Sequence, residues 1–198
     1  MQIWIHDKNM RKVCALNNNV PGMLPYSNSQ WHPYLEYSTS TFDFTIPKIV
    51  NGKLHEDVKY INDDMFVSFY YDNTYHVFYV SQLVENDTTF QVTCNNTNLE
   101  LAQEQSVALK SNGAQNIAWY LEHLEILGFT NLEIGVNEVS DKTRTLEFEP
   151  QDTKLAQLHS LMSKFDAEFA FRTELNRDGT IKKFTIDIYQ IPDENHHG

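Results

Sequence analysis

The 198-residue chain has 27 acidic and 15 basic residues, a net charge of −12, and 41% hydrophobic residues. The apolar content is enough for a folded core and is unlike that of a disordered chain. The acidic balance disfavours a protein that grips nucleic acid through its phosphates, because such binding needs basic patches. No apolar run approaches the ~20 residues of a membrane helix, and the N-terminal residues do not resemble a signal peptide.

Alternating apolar and polar side chains predict a first half made of β-strands. Residues 1–16 are typical of a β-hairpin, and residues 35–47 predict a strand with Phe42, Phe44 and Ile46 on its buried face. Further strands are predicted over residues 65–71, 75–84 and 88–94. Several short strands at this spacing are typical of an antiparallel β-barrel or sandwich.

Between the first hairpin and this strand, residues 17–34 predict a long loop that holds three of the six prolines. A loop of this length without secondary structure is uncommon unless it has a function. It also carries large apolar side chains, among them Tyr26 and Trp31, which must be buried somewhere. The loop therefore either folds over the end of its own sheet or packs on a neighbouring subunit.

The hairpin predicted at residues 65–84 carries aromatic side chains on both faces. Phe69 and Tyr71 alternate with Phe66 and Tyr70 along its first strand. A strand pair that is apolar on both faces is either buried on both or faces a partner. We expect that copies of the chain cover each other's aromatic sheet around a common axis.

The second half predicts two helices. The first is expected to begin after an N-cap at Asn112 and to end at Gly128, with leucines at helical spacing between them. The second is expected to follow a cap at Asp152 or Thr153. Its apolar stripe, at Leu155, Leu158, Met162 and Phe165, is typical of core packing.

Two strands over residues 167–175 and 181–191 are expected to form a hairpin through an Asp-Gly turn, and residues 132–139 predict a short strand. The predicted fold class is therefore α+β: an antiparallel β-barrel or sandwich-like domain, then a small domain of two helices on an antiparallel sheet. The expected boundaries are residues 1–110 for the first domain, 111–191 for the second and 192–198 for a polar tail.

The metal-ligating side chains form no recognisable constellation. The eight histidines show neither an HExxH motif nor a paired ligand spacing. The aspartates at 63, 64 and 141 lack the alternating oxygen ligands of a calcium loop. Cys14 and Cys94 are expected to be buried, reduced thiols rather than a disulfide or a nucleophile.

Two carboxylate pairs are of the kind that glycosidases use, although solvated helix and strand faces also produce them: Glu122 with Glu125, and Glu147 with Glu149. We therefore predict no catalytic, cofactor-binding or metal-binding residues, and no enzymatic activity in this chain.

Four features in chain order resemble a known family. They are the opening strand with its Asp-Lys-Asn turn, the segment YLEYSTSTFDFTIP from Tyr34, the paired strands to Cys94, and the series helix, Gly135 segment, helix and Phe-rich hairpin. Together they resemble the N-terminal hub region of the siphophage tail-associated, or prophage endopeptidase tail, family. That region is similar to the central hub of contractile-phage baseplates.

The resemblance implies a structural tail-tip protein, a baseplate hub that assembles as a homotrimer. Its implied partners are the distal tail protein and the tail tube or tape measure protein. The resemblance also implies that the hub closes or gates the tube until host attachment and DNA ejection. The implied location is the virion tail tip, after synthesis in the cytoplasm of the bacterial host. DNA is expected to pass an acidic wall without specific binding.

In related hubs the first barrel is completed by segments that follow the α+β insert. Because this sequence ends at Gly198, we expect either a fragment of a longer protein or a barrel closed in another way. Two other functions stay open: a peptidoglycan hydrolase that uses the scattered carboxylates, and a glycan-binding module that stacks sugars on Trp4, Trp31 and Tyr34.

Overall fold

The computed structural model describes residues 1–34, 39–128, 131–150 and 153–192. The start of the strand predicted at residues 35–47, the alternative helix cap at Asp152 and most of the predicted polar tail lie outside the described residues. The chain divides into two compact units. The first consists of Met1–Thr97 with Thr173–Lys182, and the second of Asn98–Arg172 with Lys183–Gly198.

The first unit is built on a seven-stranded antiparallel sheet. Its strands are β1 (Ile3–His6), β2 (Lys12–Leu16), β3 (Ser27–Tyr34), β4 (Thr39–Pro47), β7 (Phe66–Tyr71), β8 (Thr74–Glu85) and β9 (Thr89–Asn96), in the order β2-β1-β7-β8-β9-β4-β3. Between β4 and β7 lie a separate small hairpin, β5 (Ile49–Val50) and β6 (Lys53–Leu54), and a 3-10 helix over Glu56–Tyr60.

This sheet curls around its own core. Phe42 of β4 and Phe69 of β7 have ring centroids 5.0 Å apart, although three strand spacings, about 14 Å, separate these strands along a flat sheet. Trp31 of the edge strand β3 likewise lies 5.5 Å from Phe69, four strands away. The inward-facing side chains form a single buried cluster, which includes Ile3, Ile5, Ile46, Val67 and Phe78.

The curled sheet has two edge strands, β2 and β3. They approach each other at one end, where Leu16 forms an isolated bridge with Leu24. The amide side chain of Asn18 adds two hydrogen bonds to the backbone of Tyr26, at 2.8 and 2.9 Å. The result is a half-barrel, in agreement with the predicted barrel-like class, and the described residues tie its two edges together near the start of β3.

The tip of a later hairpin packs on the outer face of the first sheet. The backbone N–H of Lys12 donates to the carbonyl of Asp178 at 2.6 Å, and the N–H of Thr173 donates to Thr74 Oγ1 at 3.0 Å. Gly179 has φ +98° and lies directly over the buried His6, so a Cβ atom there would be 2.6 Å from His6 Nδ1. The close approach and the left-handed backbone both require glycine at this position.

The second unit holds the helices and three small sheets. Its elements are α1 (Glu100–Gln103), β10 (Leu109–Lys110), β11 (Gln115–Asn116), α2 (Ile117–His123), β12 (Glu133–Asn137), β13 (Thr143–Arg144), β14 (Glu147–Phe148), α3 (Lys154–Lys164), β15 (Ala167–Leu175) and β16 (Ile181–Gln190). The pairs are β10 with β14 and β11 with β13, and the third sheet has the order β12-β16-β15.

Side-chain caps set the start of both longer helices. Asn116 Oδ1 accepts from the N–H of Trp119 at 2.9 Å, and Thr153 Oγ1 accepts from the N–H of Ala156 at 3.2 Å. Their apolar faces pack with β12, β15 and β16 in one buried cluster, centred on the wholly buried Tyr120 and Phe165. This core is separate from the core of the first unit.

A buried carboxylate fixes β12 against β16. Asp187 is almost wholly buried, pairs with Arg172 at 2.5 Å, and accepts a hydrogen bond from the N–H of Val136 at 2.8 Å. Gly135 lies so close to Asp187 that any Cβ atom would collide with the carboxylate. Glycine is therefore needed here for the close approach of two strands rather than for its backbone angle.

Most predicted elements are confirmed, and three differ. The predicted loop at residues 17–34 contains the strand β3, because its polar residues pair with β4 as an edge. The first helix is shorter than predicted: residues 115–116 pair with β13, and Glu125 adopts φ +58°. β12 pairs with β16 in parallel, not antiparallel. The two compact units divide near residue 97, with the hairpin tip in the first unit, and the expected domain boundary at residue 110 stays a prediction.

Replacing Gly179 by alanine should destabilise the first unit by about 3 kcal/mol, because backbone strain and the overlap with His6 add together. Urea unfolding followed by circular dichroism measures the change. Gly52→Ala is the matched control: Gly52 has φ +75° in the same unit with nothing within 4 Å of an added Cβ. It should cost only about 1 kcal/mol. Equal losses for the two variants would contradict the close approach.

Replacing Asp187 by alanine should lower the free energy of unfolding by about 3 kcal/mol, because it leaves the Val136 N–H and the Arg172 guanidinium without their partner. Glu174→Ala removes an ion pair between exposed side chains, with Lys182, and should cost less than about 1 kcal/mol. A loss for Asp187→Ala no greater than for Glu174→Ala would show that the buried carboxylate does not hold these strands.

Candidate assembly surface

The edge strand β3 is an exposed surface without formal charge. Residues 13–34 contain none of the 27 acidic and 15 basic residues of the chain. Seven of the eight residues of β3 are exposed, and Trp31 is half-buried. In an acidic chain such a segment is unusual, and depletion of charge is a property of the central part of protein interfaces.

Aromatic side chains cluster beside this edge. The Trp31 ring lies 5.5 Å from Phe69, 5.4 Å from Tyr71 and 4.8 Å from His76. Tyr70 and Tyr71 flank a tight turn at the end of β7 and are 55% and 57% exposed. Burial lowers the pKa of His76 below its usual value, so His76 is neutral near pH 7. The cluster is thus anchored in the core on one side and open to solvent on the other.

A second strand edge is unpaired along half of β8. β7 begins at Phe66, opposite Tyr79, so residues 80–85 of β8 extend past it while β9 pairs with their other side. Beside them runs a groove of about 640 Å³, which also belongs to the first unit. It is lined by Val58, Lys59, Ile61, Asn62, Asp63, Val80, Ser81, Gln82, Leu83, Glu85 and Phe90.

Both polar and apolar side chains line the groove. Leu83 and Val58 pack against the core of the first unit, and Val84 on β8 is 42% exposed. Glu85 is held by Lys48 through an ion pair of 2.5 Å, and the Lys48 ammonium also lies over the ring of Phe90. These contacts hold the far end of β8, while an irregularity in its pairing with β9 lies between Val80 and Gln82.

The expectation of an aromatic sheet that is uncovered on both faces is only partly met. Phe69 and Phe78 are buried in the curled core. On the outer face, Ser68 and Val77 are also buried, in the region where the hairpin tip packs by way of Gly179 and His6. Exposed apolar side chains of this sheet include the tyrosines at the β7–β8 turn, Tyr34 on β3 and Val84 on β8.

Three of the described histidines, His6, His55 and His123, occupy structural positions. His6 is buried, and its Nε2 lies 2.7 Å from Ser68 Oγ while Nδ1 lies 3.0 Å from the carbonyl of Met10. Burial lowers the pKa of His6, so the ring is neutral and acts as a packed hydrogen-bonding group. His55 caps the 3-10 helix, and His123 stacks on Trp119. Within the described ranges, no three His, Cys, Asp or Glu side chains are arranged to hold a metal ion.

The carboxylates and tryptophans considered in the sequence analysis do not converge on a site. Glu147 pairs with Lys110 at 2.8 Å on the surface, and the exposed Glu125 pairs with the buried Lys154 at 3.6 Å. The Lys12 ammonium covers one face of Trp4 at 4.4 Å from the ring centroid. Trp31 contacts three other rings. Neither tryptophan therefore resembles an open stacking platform for a sugar.

The sequence analysis missed both strand edges. β3 was assigned to a loop, and the unpaired half of β8 depends on where β7 begins, which hydrophobic alternation does not specify. One signal was present in the sequence: the absence of charge from residues 13–34.

No helix in the described part of the chain has both the length and the apolar character to cross a membrane.

No family model matches the chain, and no curated protein matches it. Two solved structures share its fold. Prophage tail protein gp18 from Listeria monocytogenes has 10% identity and a TM-score of 0.53, over 93% of this chain and 50% of its own. The 43 kDa tail protein of prophage MuSo2 from Shewanella oneidensis has 10% identity and a TM-score of 0.56, over 97% of this chain and 56% of its own.

The chain thus spans about half of the length of these two tail proteins. At this identity the likeness establishes the fold, and it covers almost all of the chain.

The two thiols should be inert in the folded protein. Burial raises the pKa of Cys14 to about 12, with a smaller contribution from the charge of Asp57, and burial raises the pKa of Cys94 further. At pH 8 only about one Cys14 in 10,000 is a thiolate. Ellman's reagent should therefore react slowly with both thiols in buffer and rapidly with both in urea. Rapid reaction of either thiol in the native protein would reveal a reactive site.

Proposed function

We propose that this chain is a structural subunit of a phage or prophage tail tip, a baseplate hub that assembles as a homotrimer through its first unit. The observation that carries the proposal is the shared fold with two prophage tail proteins over 93% and 97% of the chain. A hub must pack against copies of itself and against the tail. The exposed tyrosines and the two unpaired edges of the first unit offer surfaces for that packing.

In this proposal the trimer joins a distal tail protein to the tail tube or tape measure protein and closes or gates the tube. The protein is made in the bacterial cytoplasm and ends at the tip of the virion tail. The net charge of −12 supports a channel wall past which DNA slides, since phosphates are repelled rather than held. The neutral edge β3 supports contact between copies that otherwise repel each other.

The observations favour this structural role over catalysis. One carboxylate of each pair considered in the sequence, Glu147 and Glu125, forms an ion pair with a lysine, and both thiols have raised pKa values. A zymogram on peptidoglycan distinguishes the two functions, because a hydrolase would clear the gel and lose that activity in a Glu122 or Glu147 variant. We expect no clearing by the purified protein.

The proposal predicts that the purified protein forms trimers as its concentration rises. Sedimentation velocity from about 1 to 100 µM should show conversion of monomer to a species of three times the mass. Association through weak apolar contacts increases with protein concentration by mass action. The trimer should persist at high salt, since the acidic copies repel each other less when their charges are screened. A strict monomer throughout this range would contradict the proposal.

A further inference from the structure

Two strand edges of the first unit are available for pairing: the edge strand β3 and residues 80–85 of β8. Each of these edges offers the other a pairing partner. Among the described residues, β3 is paired on one side only, with β4, and residues 80–85 of β8 are paired on one side only, with β9. Each edge thus lacks the neighbour that the other would supply. The remaining edge strand, β2, differs from both because the N–H of its first residue, Lys12, is bonded to Asp178.

Residues 80–85 also meet the steric requirement for receiving a strand. Six extended residues span about 20 Å. The groove beside them holds about 640 Å³, and its lining also includes Val58, Lys59, Ile61, Asn62 and Asp63. Addition of a strand to such an edge gains main-chain hydrogen bonds, and the side chains along the groove give selectivity.

Charge decides which segment enters the groove. Asp63 and Glu85 lie on its lining, with Lys59 as the basic residue among the lining positions, and the whole chain is acidic. A strand that carries carboxylates would be repelled at close range. β3 has no formal charge and is exposed over seven of its eight residues, so it approaches the groove without electrostatic cost.

Ring geometry requires two different surfaces on each copy. A closed ring with an odd number of identical subunits is built from heterologous contacts, in which one patch meets a different patch on the neighbour. β3 and the groove are two such patches on the same unit. We infer that β3 of one copy adds edge to edge to residues 80–85 of β8 in the next copy, and that this contact closes the trimer. The inference rests on the proposed function and names the contact through which the copies assemble.

Mixed cross-linking tests this contact. Gln30 on β3 and Val84 on β8 are both exposed, so Gln30→Cys and Val84→Cys place one accessible thiol on each edge. A short bis-maleimide should link the two variants when they are mixed, and each variant alone should give little product. Wild-type protein is the control for the native thiols, both of which have raised pKa values.

Charge substitution supplies an independent readout. Gln30→Glu places a carboxylate on β3, which Asp63 and Glu85 of the groove repel, and should raise the dissociation constant of the trimer at least about tenfold. Leu54→Glu is the matched control, because Leu54 is highly exposed in the same unit and lies on β6, away from the sheet edges. It should leave the dissociation constant unchanged. Circular dichroism verifies that both variants fold.

The outcomes separate this inference from the proposed function. If trimers form but the mixture does not cross-link, or Gln30→Glu assembles like wild type, the strand contact is wrong and the hub proposal stands. Strong cross-linking by Gln30→Cys alone would indicate a symmetric contact between two β3 strands and would overturn the inference. A strict monomer at all concentrations would reject the trimer itself.

Discussion

The first unit depends on the curling of one sheet upon itself. Trp31 of the edge strand β3 reaches Phe69 of β7, and Phe42 of β4 reaches the same ring, across distances that a flat sheet would not allow. This curvature encloses the core without a second sheet. Because the two edges are tied together only near Leu16 and Leu24, it also leaves strand edges unpaired. The core and the candidate assembly surface therefore have the same structural origin.

Local sequence determined much of what was predicted correctly. The hairpins form where turn residues tolerate positive φ, as at Asn51-Gly52 and at Asp72-Asn73. The helix cap at Thr153 and the stripe behind it were also readable. These features depend on contacts within a few residues, so neighbouring side chains were sufficient evidence. The α+β class followed from the change of period between the two halves of the chain.

Long-range pairing accounts for what the sequence did not reveal. β3 is polar and contains Pro33, and it forms a strand only because β4 supplies a partner edge. Gln115 and Asn116 resemble the start of a helix, yet they pair with β13, far along the chain. The parallel pairing of β12 depends on Asp187, which holds Val136 and excludes a side chain at residue 135. The assembly surface was missed for the same reason, since it consists of edges that other strands leave unpaired.

We propose that acidic copies of this chain assemble through the neutral, aromatic part of the first unit. Electron microscopy of the assembled protein tests this proposal. We expect class averages of a three-fold ring with a central channel, in which the first unit of each copy contacts its neighbours. Isolated single particles, or a two-fold dimer that leaves no channel, would contradict it.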